Sequence, residues 1–503
     1  MVHIKNSKFL IKSVFQKLDG SIMERVPTGI DGLDALIEGG FPRGSLIVLA
    51  GNPGTGKTIF GMQFLCRGAR DYGESGIYVS FAESNEVILH NISKVFGFNV
   101  DEKFEKVKIL DFTTVIDKGL PLIFEMIIQE IAALNAKRLV IDSFSAMAQA
   151  FKDPIEARSV LHNIFTKLVR QMGCTTLLIV EVPTGSEKLG LGIEEFVADG
   201  VIVLRKDFHN DMVIREIEIQ KMRGTRLKQQ KFLFTLDKGF KVFPPFEKIN
   251  PENAPKFEAQ RGTKTHYPSG IPELDEILGG SGYPRGSSVL YELGKDVPLE
   301  AIDAIILPTI ANFLLRGRGF ITVPPIGRSP GEIKERIISM ITDEDKFDKQ
   351  AKILLFPNPL VSSNEPYVII WKDPLIEKLD PVQNFNLYIE NSMDLAIKLG
   401  KNIIHVLNVD NLTFLVWGTG PMAFSAAGRS VVANRYGKDL MLYVATPSSS
   451  EMISILSDIL DMHFKLEEKD GAIIFYGEKP KTNIYVIEPD ASRGCRVRLT
   501  PIV

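Results

Sequence analysis

The chain has 503 residues, 45% hydrophobic and 24% charged, a balance that excludes a disordered or fibrous protein and leaves room for about two to four domains with cores of their own. Its formal charge of −3 gives no global attraction to nucleic acid or to an anionic membrane. Three cysteines, Cys66, Cys174 and Cys495, stand far apart without metal-ligand spacing, which argues against a disulfide framework and a zinc site.

Residues 1–22 form an N-terminal segment that carries lysines but no apolar core followed by a small-residue cleavage site. No later run reaches the ~18 apolar residues of a membrane span, so the expected location is the cytoplasm and no membrane partner is expected. A first domain is expected over 23–246. Short β-branched runs at Leu46–Leu49, Ile77–Phe81, Lys108–Leu110, Arg138–Ile141, Thr176–Val180 and Val201–Leu204 alternate there with helix-period segments such as Ile59–Tyr72 and Leu122–Leu134. That alternation predicts an α/β domain with a mostly parallel central sheet. Val213–Lys221 alternates apolar and polar residues, which suits an antiparallel strand pair at the sheet edge.

Between the first of these strands and the first helix stands Gly51-Asn52-Pro53-Gly54-Thr55-Gly56-Lys57-Thr58, the GxxxxGK[ST] pattern of a phosphate-binding loop in its confirming strand-to-helix context. Glycines let successive backbone N–H groups wrap phosphates at a helix N-terminus. Lys57 neutralises phosphate oxygens, and the Thr58 hydroxyl is placed to ligate Mg²⁺. ATP and Mg²⁺ are therefore the expected ligands. The strand Arg138–Ile141 ends in Asp142, a second candidate for the Mg²⁺ shell, although a strand ending in Asp is also an ordinary turn. Glu83, just past Ile77–Phe81, is the candidate to activate water, with Glu86 a weaker rival belonging to the next helix.

A Pro-rich polar stretch over 247–264 reads as a linker, and beyond it, over 265–503, the chain repeats itself. Val26-Pro27-Thr28-Gly29-Ile30 recurs as Tyr267-Pro268-Ser269-Gly270-Ile271, and Phe41-Pro42-Arg43-Gly44-Ser45 as Tyr283-Pro284-Arg285-Gly286-Ser287. Carried forward, this register sets Leu293–Glu300 against Gly51–Thr58. Leu299 then replaces the lysine, Glu300 the threonine, and Pro298 removes an N–H from the cradle. The same reading sets Ile326 against Glu83 and takes Asp410 as a mark of the old metal-binding strand.

Together, VPTGIDGLDALIEGGFPRGS, GNPGTGKT, VSFAES, RLVIDSFS, GIEEFVADGVIVLR and EIQKMRGTR resemble the KaiC family within the RecA-like ATPases. The resemblance implies two tandem RecA-like P-loop NTPase domains, ATP hydrolysis, and a ring-shaped homo-oligomer, usually a hexamer, with ATP between neighbours. In that family the stretch matching Lys221-Met222-Arg223 reaches the next subunit's γ-phosphate, so Lys221 and Arg223 are expected as trans-acting fingers. The second copy keeps Arg493 and Gly494 in PDASRGCR, with Ala491 read at the place of Lys221. Ala82 departs from the family's usual pair of adjacent acids, which puts the rate of turnover in question.

The leading expectation is an ATP-hydrolysing ring protein with a regulatory or signalling role and an unnamed protein partner, its chemistry confined to the first domain and its second domain a pseudo-ATPase. A nucleotide-gated scaffold with little turnover is one alternative. A RecA-like DNA-binding ATPase is another, and the acidic balance and the lack of a basic or aromatic-rich loop near Pro183–Gly192 weigh against it. Kinase activity is compatible with such a site, but no residue indicates a target.

Overall fold

The computed structural model describes residues 24–96, 106–113, 120–148, 171–183, 198–248, 254–325, 327–355, 365–371, 381–413 and 421–503. The chain divides into two compact units, the first ending at Pro244 and the second running from Pro245 to Ile502.

In the first unit, β1 (Arg25–Val26) pairs antiparallel with β2 (Phe41–Pro42). Between them the leader folds on Asp34, whose carboxylate accepts the Thr28 N–H at 2.8 Å and the Thr28 hydroxyl at 2.6 Å. The remaining strands are β3 (Leu46–Gly51), β4 (Gly76–Ser80), β5 (Val107–Asp111), β6 (Arg138–Asp142), β7 (Thr175–Glu181), β8 (Gly200–His209), β9 (Met212–Met222), β10 (Lys231–Thr235) and β11 (Lys241–Phe243). Among the described residues these nine form one sheet in the order β11-β10-β9-β8-β3-β7-β6-β4-β5. The strands from β8 to β5 are mutually parallel, and β8 to β11 are joined antiparallel.

The parallel strands are near-continuous apolar runs because both faces are covered. In β3, Leu46, Val48 and Ala50 enter the core on one face, while Ile47 and Leu49 enter the other together with Phe60 and Phe64 of helix Lys57–Tyr72. Each of those phenylalanines, fully buried, contributes about 1.5–3 kcal/mol of hydrophobic stabilisation. The helix is also fastened to β6 by Arg138, a fully buried guanidinium whose Nε donates to Glu74 at 2.8 Å and NH1 to the Phe64 carbonyl at 2.8 Å. Gly68 makes this arrangement sterically feasible, since a Cβ there would collide with the Arg138 side chain.

The second unit repeats the plan. Short β12 (His266–Tyr267) and β13 (Tyr283–Pro284) pair antiparallel, and Asp275 accepts the Ser269 N–H at 2.7 Å as Asp34 does that of Thr28. Its larger strands are β14 (Ser288–Leu293), β15 (Gly319–Val323), β16 (Ala351–Leu355), β17 (Val368–Ile370), β18 (Ile403–Asn408), β19 (Leu440–Ala445), β20 (Met462–Lys469), β21 (Ala472–Lys479), β22 (Tyr485–Pro489) and β23 (Val497–Pro501). Among the described residues they form a ten-stranded sheet ordered β17-β16-β15-β18-β19-β14-β20-β21-β22-β23, which is the first unit's order with β17 added at one edge. Both units are thus α/β with mostly parallel sheets, as the internal repeat implies. Of the stretch read as linker, the residues from 254 onward are mostly exposed and belong to the second unit, with Phe257 buried in its core.

Replacing Arg138 by Ala leaves Glu74 with Arg43, at 3.0 Å, as its remaining ion-pair partner and removes the donor to the Phe64 carbonyl. The first unit is expected to lose about 3 kcal/mol, a buried pair broken on one side, read from the shift in its urea unfolding midpoint; a loss below about 0.5 kcal/mol would mean the contact is worth no more than a surface pair.

Candidate nucleotide site

β3 leaves the sheet at Gly51, and the next strand in the chain, β4, is not its neighbour, because β7 and β6 lie between them. The connection must therefore cross the C-terminal edge of the sheet, which opens the crevice where α/β sheets hold ligands. The loop that makes the crossing takes left-handed backbone angles at Gly54 (φ 76°) and Gly56 (φ 95°), and the helix begins at Lys57. It is tied down by Thr55, whose hydroxyl donates to the Asn52 carbonyl at 2.8 Å, and by Asn52, whose side-chain amide donates to the Val182 carbonyl at 3.0 Å. Lys57 lies back across the loop, its Nζ donating to the Gly51 and Asn52 carbonyls at 2.9 Å each. Burial lowers the pKa of this ammonium, opposed by the charges of Glu181 and Asp142.

Opposite the helix start, Asp142 ends β6. Its Oδ2 accepts the Thr58 hydroxyl at 2.9 Å and also the phenol of Tyr78, which reaches it from β4. Burial holds the Asp142 carboxyl above the ordinary aspartate range, although both hydrogen bonds and Lys57 pull it down. β4 and β6 pair with Ser80 opposite Asp142, and Glu83 follows Ser80 in a tight turn: Glu83 N–H donates to the Ser80 hydroxyl at 3.2 Å, and that hydroxyl donates to the Glu83 carbonyl at 2.6 Å. Burial, and then the charge of Asp142, raise the Glu83 pKa. The crevice therefore brings Gly51 to Thr58, Asp142 and Glu83 together. It adds two groups not singled out from sequence. One is Tyr78, a polar tip inside an apolar strand. The other is Glu181, the acid that ends the apolar run of β7 as Asp142 ends β6.

A divalent cation fits this donor set, because the Thr58 hydroxyl and the Asp142 carboxylate converge at 2.9 Å beside a phosphate-shaped loop, and Mg²⁺ characteristically takes one or two protein oxygens plus phosphates. Lys221 and Arg223 do not join the crevice. β8 and β9 pair with Met222 opposite Gly200, at the end of the sheet where β3 begins. Lys221 Nζ donates to the Ala198 carbonyl at 2.8 Å, and Arg223 pairs with Asp199 at 3.2 Å, whose other oxygen accepts the Leu46 N–H at 3.1 Å. From Leu46 to Gly51 is roughly 17 Å along the strand.

The second unit has the same frame without these groups. Leu46 pairs with Thr176 and Ser288 with Met441, Ile47 pairs with Gly200 and Val289 with Met462, and the following helices start at Lys57 and Leu299. Gly51–Thr58 is thus matched by Leu293–Glu300 without a gap. The same pairings, continued across β19 to β18 and β15, set Asn408 at the place of Asp142 and Thr322 at that of Tyr78. This corrects one expectation by two residues: Asp410 lies in the short helix past β18, where the Ser448 and Ser449 hydroxyls donate to it at 3.1 and 2.5 Å. Ile326, read against Glu83, lies outside the described residues. A second correction concerns the finger. Lys221 faces Val201 at a β-bulge, and Lys479 faces His463 at the same bulge in the second unit. Lys479, not Ala491, is therefore the counterpart of Lys221, and its Nζ donates to the Leu460 carbonyl at 2.6 Å. Arg493 instead clamps Glu273 at 2.7 and 3.0 Å. An Arg-Gly pair had recurred in a different hairpin.

The sequence model of the KaiC ATPase family matches residues 26–247, the whole of the crevice just described. Over that stretch the chain is similar to the KaiC family. A circadian clock oscillator protein KaiC of Parasynechococcus marenigrum is 34% identical over 279 residues, covering 53% of this chain and 52% of that protein. A circadian clock protein KaiC2 of Synechocystis is 32% identical over 277 residues, 53% of this chain and 47% of that one. The chain thus spans about half the length of the curated KaiC relatives it matches. A KaiC-like protein of Pyrococcus horikoshii with a crystal structure is 39% identical, covered completely by 44% of this chain, with a TM-score of 0.40. Residues 256–503 match a different family model, described as GvpD basic region 2. Among the described residues no helix is long and apolar enough to cross a membrane.

A carboxyl whose pKa burial raises costs the folded state increasingly as pH climbs past its unfolded value, 3.8 for Asp142. Asp142→Asn is therefore expected to melt above the native protein at pH 7 without nucleotide, the gap narrowing as pH falls toward 3.8; a variant that melts lower at pH 7 would mean that the Thr58 and Tyr78 bonds outweigh burial.

Proposed function

We propose that the first unit, taken as the domain 23–246, hydrolyses ATP, and that the chain works as a KaiC-like ring protein in the cytoplasm whose nucleotide state regulates contacts with a protein partner. The observation that carries this reading is the convergence of Lys57, Thr58, Asp142 and Glu83 at the exit of β3. The N–H groups of the Gly51–Thr58 loop bind phosphate oxygens, and Lys57 exchanges its contacts with the Gly51 and Asn52 carbonyls for the β/γ oxygens. Thr58 and Asp142 would hold Mg²⁺, which would supply neutralisation of the phosphate charge. Glu83 takes the proton of the attacking water, and its raised pKa makes it a better base than an ordinary glutamate.

Lys221 and Arg223 stand too far along the sheet to reach their own subunit's phosphates, which supports their action on a neighbouring copy in a homo-oligomer, a hexamer by family analogy. The second unit serves as a pseudo-ATPase domain, since Leu299, Glu300 and Asn408 replace the lysine, threonine and aspartate of the first. A second reading, a nucleotide-gated scaffold with little turnover, is favoured by Ala82, which removes one acid of the family's usual pair.

Phosphate release from ATP with Mg²⁺ decides between them. The hydrolytic reading predicts turnover that falls at least about 100-fold in Lys57→Ala and in Glu83→Gln, and that declines non-linearly as Lys221→Ala subunits are mixed with native ones. Because Glu83 must be ionised to act, the rate should fall on acidification through a pKa above its ordinary 4.5. Turnover no higher than in Lys57→Ala, with ATP still bound, would leave the scaffold.

A further inference from the structure

The second unit carries a cavity of about 70 Å³ between its first long helix, Leu299–Leu315, helix Pro330–Ile341 and the C-terminal ends of β15, β18 and β19. Its origin is legible in the register. In the first unit the Tyr78 ring lies between helix and sheet on its way to Asp142, where a Cβ on Gly61 would stand 3.6 Å from it. In the second, Thr322 stands in place of Tyr78 and Asp303 in place of Gly61, so the ring is gone and its space remains. The walls are apolar, with Ile302, Ile306, Phe320 and Val444 among them.

Thr322 and Asn408 also line it, and its charged residues are Asp303, Arg328 and Arg336, which meet one another. Arg328, with a side chain only 10% exposed, pairs with Asp303 at 2.7 Å, its one ion-pair partner among the described residues. Arg336 contacts the same carboxylate, Glu300 at 3.4 Å and Glu332 at 2.9 Å. Two guanidiniums offer about ten N–H donors, far more than these contacts use, and Arg328 is nine-tenths buried beside an apolar space. A second hollow on the other side of Arg336 and Asp303 is bordered by two further cations, Lys248 and Arg496. At the cavity itself the two guanidiniums pair with three acids, Asp303, Glu300 and Glu332, while Lys248 and Arg496 add cationic charge on the far side of Arg336.

We propose that this cavity is a ligand site for a small amphipathic carboxylate, whose apolar body, no larger than a single ring, occupies the space left by the tyrosine and whose carboxylate meets Arg328 and Arg336. The site lies at the C-terminal edge of a parallel sheet, where α/β folds bind ligands, and it needs no phosphate loop. The second unit would then be a sensor of a metabolite-sized acid. This assignment is independent of hydrolysis in the first unit.

Isothermal titration of the full chain with benzoate and with isovalerate tests it, using benzyl alcohol and inorganic phosphate as probes that carry only the apolar body or only the anion. Saturable binding of at least one carboxylate is expected, weakened at least tenfold by Arg328→Gln and abolished by Thr322→Tyr, which restores the first unit's ring. Thermal melts and ATP binding by the first unit serve as folding controls, and Thr322→Val, which leaves the space open, should retain binding. Absence of saturable binding by both carboxylates to the folded native chain would overturn the proposal, as would equal binding of benzyl alcohol, binding of phosphate alone, or affinity unchanged in a folded Thr322→Tyr variant.

Discussion

β3 is buried on both faces and flanked by β7 and β8, so the chain leaving it can only climb over the sheet's C-terminal edge before returning as a helix. Everything at the site follows from that exit. The turn requires left-handed backbone angles that glycine supplies, and the helix that follows directs its first N–H groups at the crevice. Because β4 and β6 run parallel to β3 and end at the same edge, Glu83, Tyr78 and Asp142 arrive within reach of Lys57 and Thr58 although they are distant in sequence.

The two units show how little of a fold depends on its site. Strand order, the leader turn on Asp34 or Asp275, the β-bulge at Val201 or His463, and the lysine that reaches a carbonyl beyond that bulge are common to both. What differs is a handful of side chains at the C-terminal edge. The retained lysine is informative, since Lys479 contacts the Leu460 carbonyl in a unit with no phosphate loop. A structural role in capping the preceding segment is therefore sufficient to keep a lysine there, and Lys221 combines that contact with any action in trans.

Much of this was legible in the sequence because its signals were local. The phosphate loop carries its own spacing and context, Asp142 and Glu83 close apolar strands, and the repeated leader announces a second copy of the fold. The match of Leu293–Glu300 to Gly51–Thr58 held without a gap because only a short strand separates it from the leader. Farther from that anchor the register drifted: Asn408 and not Asp410 occupies the compared place, and Lys479 and not Ala491 matches Lys221. Loops of different length had intervened, and only hydrogen-bonded pairing across strands restores the count. Tyr78 and Asp303 were invisible for another reason: their meaning lies in what they face across the helix–sheet interface, which no spacing along the chain encodes.

One fold is present twice, and under the proposed function it holds nucleotide once. Equilibrium binding of ATP to the full chain in the presence of Mg²⁺, counted as nucleotides per chain, tests this most directly. One nucleotide per chain, lost altogether in Lys57→Ala, is the predicted result; two per chain, or one that survives Lys57→Ala, would place a working cradle in the second unit and contradict it.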